Sequence, residues 1–138
     1  MIAQQITSLS TELVPRSITS IIDDLRQEVL LSSSVIHRVI LSRDNESLLQ
    51  DMLLFAKCGF VYPMHLHRAR TEIFTCLEGT LSIDVVEGNG SETRHTLLPN
   101  MTIAIPQMCA HRIVTSGSLC IFREIGNGPF TRHDRILF

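Results

Sequence analysis

The hydrophobic pattern divides the chain into one amphipathic stretch followed by many short runs. Aliphatic residues from Ile18 to Val29 recur with offsets of three, four, seven and eleven positions, which is the spacing of one helical face. Ser17 precedes this stripe and can cap a helix. The hydroxyls of Ser32–Ser34 compete for backbone hydrogen bonds and favour its end. We therefore predict a helix from about residue 17 to residue 31.

Short runs rich in β-branched and aromatic residues follow, separated by glycine, proline and asparagine. These runs lie at Val35–Leu41, Leu48–Lys57, Phe60–His67, Glu72–Glu78, Thr80–Glu87, Thr93–Leu97, Thr102–Ile105, His111–Thr115 and Leu119–Ile125. Such spacing is typical of a sandwich or barrel rather than of a βαβ fold. The pattern predicts a lead-in at 1–16 (a loose segment or a short edge strand), a helical segment at 17–34 and a single all-β domain at 35–138.

Composition and charge narrow the class of protein. Hydrophobic residues make up 44% of the 138 positions and charged residues 19%, which excludes intrinsic disorder as the default. A formal charge of −2 gives no support to a nucleic-acid or membrane-surface partner. The N-terminus lacks the regions of a secretory signal, and the longest apolar run, Met52–Ala56, is too short to span a bilayer. We expect a soluble, cytoplasmic protein.

A group of histidines carries the candidate chemistry. His65 and His67 are two positions apart, so both side chains face one side of a strand. Glu72 falls on the next strand, and His111 begins a later one. Imidazole and carboxylate together suit Fe, Mn, Ni, Cu or Zn, and the alternative is a set of ordinary histidines on a half-buried sheet. The spacing G-x5-H-x-H-x4-E-x6-G favours the metal, since it would arise by chance with a probability on the order of 10⁻⁵ to 10⁻⁴.

Two segments resemble the motifs of the cupin superfamily. GFVYPMHLHRARTEIFTCLEG is similar to the first cupin motif and IPQMCAHRIVT to the second. Met108 and Thr115 stand where that second motif usually has glycine and asparagine. The resemblance implies a double-stranded β-helix, a jelly-roll barrel, that binds one divalent metal through His65, His67, Glu72 and His111. The helix before the barrel and the closing EIGNGPF resemble WbuC-type cupin metalloproteins, small bacterial proteins associated with O-antigen and other surface-polysaccharide gene clusters.

Strand alternation predicts the lining of a pocket beside the metal. By parity with the ligands, the predicted lining residues are Val61, Pro63, Phe74, Cys76 and Cys109. Phe74 and Cys76 can instead belong to the core. All four cysteines, Cys58, Cys76, Cys109 and Cys120, lack the spacing of a zinc knuckle and are expected to be buried thiols. Tyr62 is predicted to face the side of the strand opposite to the ligands, so it is given no catalytic role.

Two arginines are candidate contacts for an anionic ligand, since guanidinium pairs with carboxylate and phosphate. Arg70 lies in the turn between the ligand strands, and Arg123, on an apolar strand, is expected to point into the pocket. The alternative for Arg123 is an internal ion pair with Glu124 or Glu78. The remaining histidines have no partner spacing and are predicted at the surface or an interface: His37, His95 and His133.

The leading functional hypothesis is a metal-dependent cupin that binds, or acts on, a small polar metabolite such as a sugar or sugar nucleotide. The alternatives are an Fe-dependent dioxygenase and a non-catalytic binding or regulatory cupin; the sequence leaves turnover open. The expected partners are a small, anionic ligand and a second copy of the chain, but neither nucleic acid nor membrane. The homodimer follows from the resemblance and from Met64 and Leu66, apolar residues that face away from the ligands. The alternative is that these two residues pack against the second sheet or the helix.

Overall fold

The structure is a computed structural model that describes residues 4–8, 15–42, 48–128 and 131–138. One helix, α1 (Ile18–Leu31), follows a first strand, β1 (Gln4–Ser8). The remaining strands are β2 (Ile36–Ile40), β3 (Leu49–Lys57), β4 (Val61–His67), β5 (Glu72–Val86), β6 (Glu92–Leu97), β7 (Thr102–Ile105), β8 (His111–Asn127) and β9 (Arg135–Leu137). The predicted lead-in at 1–16 lies partly outside the described residues, and its described part contains β1. Pro129 and Phe130 of the EIGNGPF segment also lie outside them.

The predicted helix is confirmed. The Ser17 hydroxyl accepts a hydrogen bond from the Ser20 amide at 3.3 Å, and the Ser32 amide donates back to the carbonyls of Glu28 and Val29. Val29 and its neighbours on the apolar stripe pack against the outer face of the sheet. The buried members of this contact are Ile21, Val29, Val39, Leu53, Phe55 and Ile121.

Two long strands, β5 and β8, connect the two halves of the barrel. They pair antiparallel over most of their length, with shifts in register on either side of Glu78, the second of which spans Gly79. Gly79 has φ +81°, and a Cβ there would lie 2.7 Å from the Leu119 carbonyl oxygen, so a side chain would not fit. The chain bends at this point without ending the strand. The predicted runs Glu72–Glu78 and Thr80–Glu87 are therefore one strand.

The pairing produces two half-sheets that share β5 and β8. One half contains β1, β2, β3 and β7, and the other contains β4, β6 and β9. A single core of apolar side chains draws on both halves, with Leu54, Phe74 and Phe122 from the first and Ile83 and Ile113 from the second. The expectation of a mostly β barrel with one N-terminal helix is confirmed.

Strand β3 explains why its sequence reads as an unbroken apolar run. Met52 and Leu54 face the barrel core, whereas Leu53 and Phe55 face α1. A strand that is buried on both faces has no polar side, so its residues do not alternate.

The prediction that His37 lies at the surface or an interface is wrong. His37 is only 1% exposed, because its ring lies between Phe55 and the Thr7 hydroxyl, which is 2.7 Å from Nε2. Leu66 is buried because β9 pairs with β4 beside it, opposite Ile136.

The expectation of a buried thiol is wrong for Cys58, which is exposed. In the part of the chain that the structure describes, no helix is long and apolar enough to cross a membrane.

Candidate metal centre

Four side chains from three strands meet in one buried cluster. His65 and His67 come from the end of β4, Glu72 begins β5, and His111 begins β8 directly opposite His65. One ligand atom from each of the four lies within 4.8 Å of the others, and all four residues are buried. The structure therefore brings together the cluster that the spacing predicts.

Each imidazole is oriented by a hydrogen bond on its outer nitrogen. His65 Nδ1 lies 2.8 Å from the Pro63 carbonyl oxygen, and His111 Nδ1 lies 2.9 Å from the Cys109 carbonyl oxygen. Because a carbonyl oxygen only accepts, both Nδ1 atoms carry the proton, and the Nε2 lone pair of a neutral ring is free to bind. In neutral imidazoles this is the tautomer that a metal requires.

Glu72 joins the other ligand atoms at the centre of the cluster. Its Oε1 lies 3.1 Å from His67 Nε2 and 3.2 Å from His111 Nε2. Among the described residues, Glu72 Oε1 and His111 Nε2 are buried and have no hydrogen-bond partner. A buried polar atom without a partner costs about 1–3 kcal/mol, and a cation bound between these atoms would remove that cost. The residues present thus fit a divalent metal.

Burial and charge set the protonation of the cluster. Burial lowers the pKa of His65 to about 4, so its ring is neutral at physiological pH. Burial also acts to lower the pKa of His67, but its contacts with the negatively charged carboxylates of Glu72 and Asp134 outweigh this effect and leave that pKa raised. Burial acts to raise the pKa of Glu72, yet its contacts with His111 and His67 hold that pKa well below the usual value. The carboxylate is therefore ionised and able to bind a cation.

The C-terminal segment supplies a residue that the sequence analysis missed. Asp134 lies in a short 3-10 turn before β9, and its Oδ2 lies 2.9 Å from His67 Nδ1. Its other oxygen accepts the Ala69 amide at 2.7 Å. No spacing rule connects Asp134 to His67, since the contact arises only when β9 pairs with β4.

A cavity of about 640 Å³ adjoins the cluster, and His65, His67 and Glu72 form part of its wall. The other polar side chains that line it are Arg38, Gln50, Tyr62, Arg70, Glu124 and Arg135. Its apolar lining includes Ile36, Ile40, Met52, Leu54, Ile113 and Phe122. This size is typical of a site for a small organic ligand.

Strand alternation predicts that Val61 and Pro63 of β4 line the cavity, and this prediction is wrong. Val61 is 49% exposed, and neither it nor Pro63 lines the cavity, whereas Tyr62 does. The pairing of β4 with β8 shifts register between Tyr62 and His65, and an irregularity of this kind reverses the simple alternation of faces. The Tyr62 ring consequently lies 5.0 Å from the ring of His65, and its hydroxyl is hydrogen-bonded to Arg135.

Three other predicted lining residues lie behind the cavity wall. Phe74 is fully buried, with its ring 6.0 Å from that of His111, so it supports the cluster from the core. Cys76 is also a core residue, 3.4 Å from the Gly79 carbonyl oxygen. Cys109 contacts His111 through its backbone carbonyl and lies outside the cavity lining.

Arg123 does not reach the cavity, so the prediction that it points inward is wrong. Its guanidinium is paired with both carboxylate oxygens of Asp51 on the neighbouring strand, at 2.6 and 2.9 Å. The predicted alternative partners, Glu124 and Glu78, are also not its partners. Glu78 instead pairs with Arg26 of α1.

Arg70 does line the cavity, as its assignment to an anion contact requires. It donates to Gln50 Oε1 at 2.6 Å and lies 3.5 Å from Glu72 Oε2 and 3.7 Å from Glu124 Oε2. A Cβ at Gly126 would lie 2.6 Å from the guanidinium, so glycine there provides the space that Arg70 occupies. Burial first, and then the charge of Glu72, raise the pKa of Glu124 to about 8.

No protein-family model and no curated protein sequence matches this chain. Oxalate decarboxylase from Bacillus subtilis superposes with a TM-score of 0.62 at 15% identity, over 75% of this chain and 27% of that one. The capsular polysaccharide assembling protein CapF from Staphylococcus aureus gives 0.61 at 18%, over 67% and 27%. KdgF from Halomonas sp. gives 0.57 at 18%, over 72% and 83%. This chain thus spans about a quarter of the first two structures and most of the third. At these identities the likeness concerns the fold, and it shows that this chain has the cupin fold.

Proposed function

We propose that this protein is a metal-binding cupin that holds one divalent ion through His65, His67, Glu72 and His111. The observation that carries the proposal is the orientation of the ligands. Each of the three histidines is hydrogen-bonded through Nδ1 to an acceptor oxygen. Within the described part of the chain, the buried atoms Glu72 Oε1 and His111 Nε2 have no hydrogen-bond partner. Such support behind the ligands is characteristic of metal sites.

The proposed role is to bind, or act on, a small polar metabolite in the adjoining cavity. When bound, the metal supplies a Lewis acid that polarises an oxygen of the ligand. The chain's own residues hold the ligand: Arg70, Gln50 and Tyr62 line the cavity beside the cluster. Apolar side chains on the opposite strands limit the access of water.

The finer assignment is to a WbuC-type cupin, with a sugar or sugar nucleotide of surface-polysaccharide biosynthesis as ligand and a homodimer as the assembly. It rests on the resemblance of the helix and the closing segment. The likeness to CapF, described as a capsular polysaccharide assembling protein, is compatible with this assignment at the level of the fold.

Elemental analysis of natively purified protein tests the metal site. We expect about one Fe, Mn, Ni, Cu or Zn ion per chain, lost in His65→Ala and His111→Ala. His95→Ala is the matched control, because His95 lies on β6 away from the cluster. Full metal occupancy in the two ligand variants would show that the site assignment is wrong.

The metal found also separates the alternative functions. Iron together with substrate-dependent oxygen uptake would favour a dioxygenase, since three histidines and one carboxylate leave positions open on an octahedral ion. Zinc has no redox chemistry and would count against it. Ligand affinity without turnover in any metal-loaded form would favour a binding or regulatory protein.

A further inference from the structure

The cavity has an excess of positive charge once a metal is bound. Three arginines line it: Arg38, Arg70 and Arg135. The carboxylates that face the cluster or the cavity are those of Glu72, Glu124 and Asp134. Among the described residues, even with Glu124 counted as ionised and Arg38 left out of the count, the guanidinium groups of Arg70 and Arg135 and a divalent ion exceed the three carboxylates by one formal charge. Uncompensated charge in a largely buried site is costly, so the arrangement favours an anionic ligand.

Arg70 is the guanidinium best placed to hold that anion. It is only 4% exposed, and among the described residues its Nε has no hydrogen-bond partner. Its neighbour Glu72 places one carboxylate oxygen at the metal cluster and the other 3.5 Å from Arg70. A ligand carboxylate beside Arg70 would therefore also be near the metal.

Apolar side chains of β2, β3 and β8 line the cavity beside Arg70 and Glu124. Met52 lies opposite Ile40 on one side and opposite Glu124 on the other, and the next inward pair is Leu54 and Phe122. All four apolar side chains line the cavity. The hydroxyl groups of a fully hydroxylated ligand would find no hydrogen-bond partners on this apolar surface, whereas a hydrocarbon skeleton would gain by its burial.

We propose that the cavity binds a small organic acid, with its carboxylate held between Arg70 and the metal and an apolar carbon skeleton against Met52, Leu54 and Phe122. This inference rests on the metal site proposed above. It narrows the ligand from polar metabolites in general to carboxylates with a partly apolar body, and in this it departs from the sugar ligand of the WbuC-type assignment.

Three six-carbon probes test the proposal by calorimetric titration of the metal-loaded protein. They are 2-hydroxyhexanoate (acid, apolar body), gluconate (acid, hydroxylated body) and 1,2-hexanediol (neutral, apolar body). We expect 2-hydroxyhexanoate to bind at least about tenfold more tightly than either of the others, and more tightly than lactate by about fourfold per added methylene. Equal binding of the diol would overturn the carboxylate contact. Tighter binding of gluconate would overturn the apolar contact.

A variant pair tests the role of Arg70. Arg70→Gln should weaken binding of 2-hydroxyhexanoate on the order of 10- to 100-fold. Arg123→Gln, which removes an arginine paired with Asp51 outside the cavity, should leave that affinity unchanged. Arg70→Lys keeps the charge and should restore part of the affinity.

Metal analysis of the same samples separates the two proposals. If the metal is stoichiometric in both variants but Arg70→Gln binds the acid normally, the organic-acid inference fails and the metal site stands. If wild-type protein holds no metal, the proposed function fails. If chelation of the metal leaves acid affinity unchanged, the shared contact with metal and Arg70 is wrong.

Discussion

Asp134 is hydrogen-bonded to His67 across 67 residues of sequence, with 2.9 Å between Oδ2 and Nδ1. The carboxylate lies behind a proposed metal ligand and fixes both the tautomer and the plane of its ring. The same residue accepts the Ala69 amide, so it also holds the turn that leads from β4 to β5. The C-terminal segment therefore completes the cluster, although its sequence carries no motif that points to this role.

Removal of this carboxylate should weaken the metal site. We predict that Asp134→Ala lowers metal affinity about 10- to 100-fold, because His67 loses the acceptor that orients it. Competition with a chromogenic chelator measures the change. The exposed neighbour His133 provides the control, and His133→Ala should keep the wild-type affinity. Unchanged affinity in Asp134→Ala would show that the contact does not support the metal.

An ion-paired carboxylate on the second half-sheet should make stability depend on pH. Hydrogen bonds from Arg94 and then from Arg112, which outweigh the effect of burial, lower the pKa of Asp84 to about 2. The folded state thus favours the ionised form, so this stabilisation is complete above about pH 4 and is lost as the pH falls towards 2.

Asp84→Asn should lower the free energy of unfolding at pH 7 by about 1–2 kcal/mol and have little effect near pH 2. We expect this loss in the free energy of unfolding to lie in the lower part of the range, because Arg94 is half exposed and solvent screens its charge. Urea denaturation at both pH values measures the difference. Glu92→Gln, which breaks only the exposed pair with Arg112, should change stability much less. Equal losses at both pH values would contradict the assigned ionisation.

Gly126 should control the position of Arg70. A Cβ at this position would lie 2.6 Å from the guanidinium, and Gly126 has no left-handed backbone conformation that would exclude alanine. We predict that Gly126→Ala displaces Arg70 and weakens binding of 2-hydroxyhexanoate about as much as Arg70→Gln, with the metal content unchanged. Gly79→Ala is the contrasting variant. Its Cβ would meet backbone at φ +81°, so it should lose stability, which thermal unfolding measures.

His65, His67 and Glu72 could be predicted as ligands because their spacing is local, and His111 because its segment resembles the second cupin motif. His65 and His67 share a face by the two-residue period of a strand, and their spacing from Glu72 and Gly79 matches a recognisable motif. The helix could be predicted for the same reason, since its apolar stripe and its Ser17 cap are local features. These predictions need no knowledge of which strands become neighbours.

The surroundings of the cluster were decided by tertiary structure. An irregularity in β4 turns Tyr62 towards the cavity and leaves Val61 exposed, although alternation alone predicts the reverse. The partner of Arg123 is Asp51, because β3 lies beside β8. Glu124 of β8 lies near Arg70 because β8 pairs with β5, the strand that follows Arg70. Asp134 reaches His67 only through the pairing of β9 with β4. Short-range patterns in the sequence predict the helix, the β character of the barrel and the ligands His65, His67 and Glu72, and the resemblance to the second cupin motif adds His111. Strand register decided which charged groups line the cavity, because it depends on contacts between residues far apart in the chain.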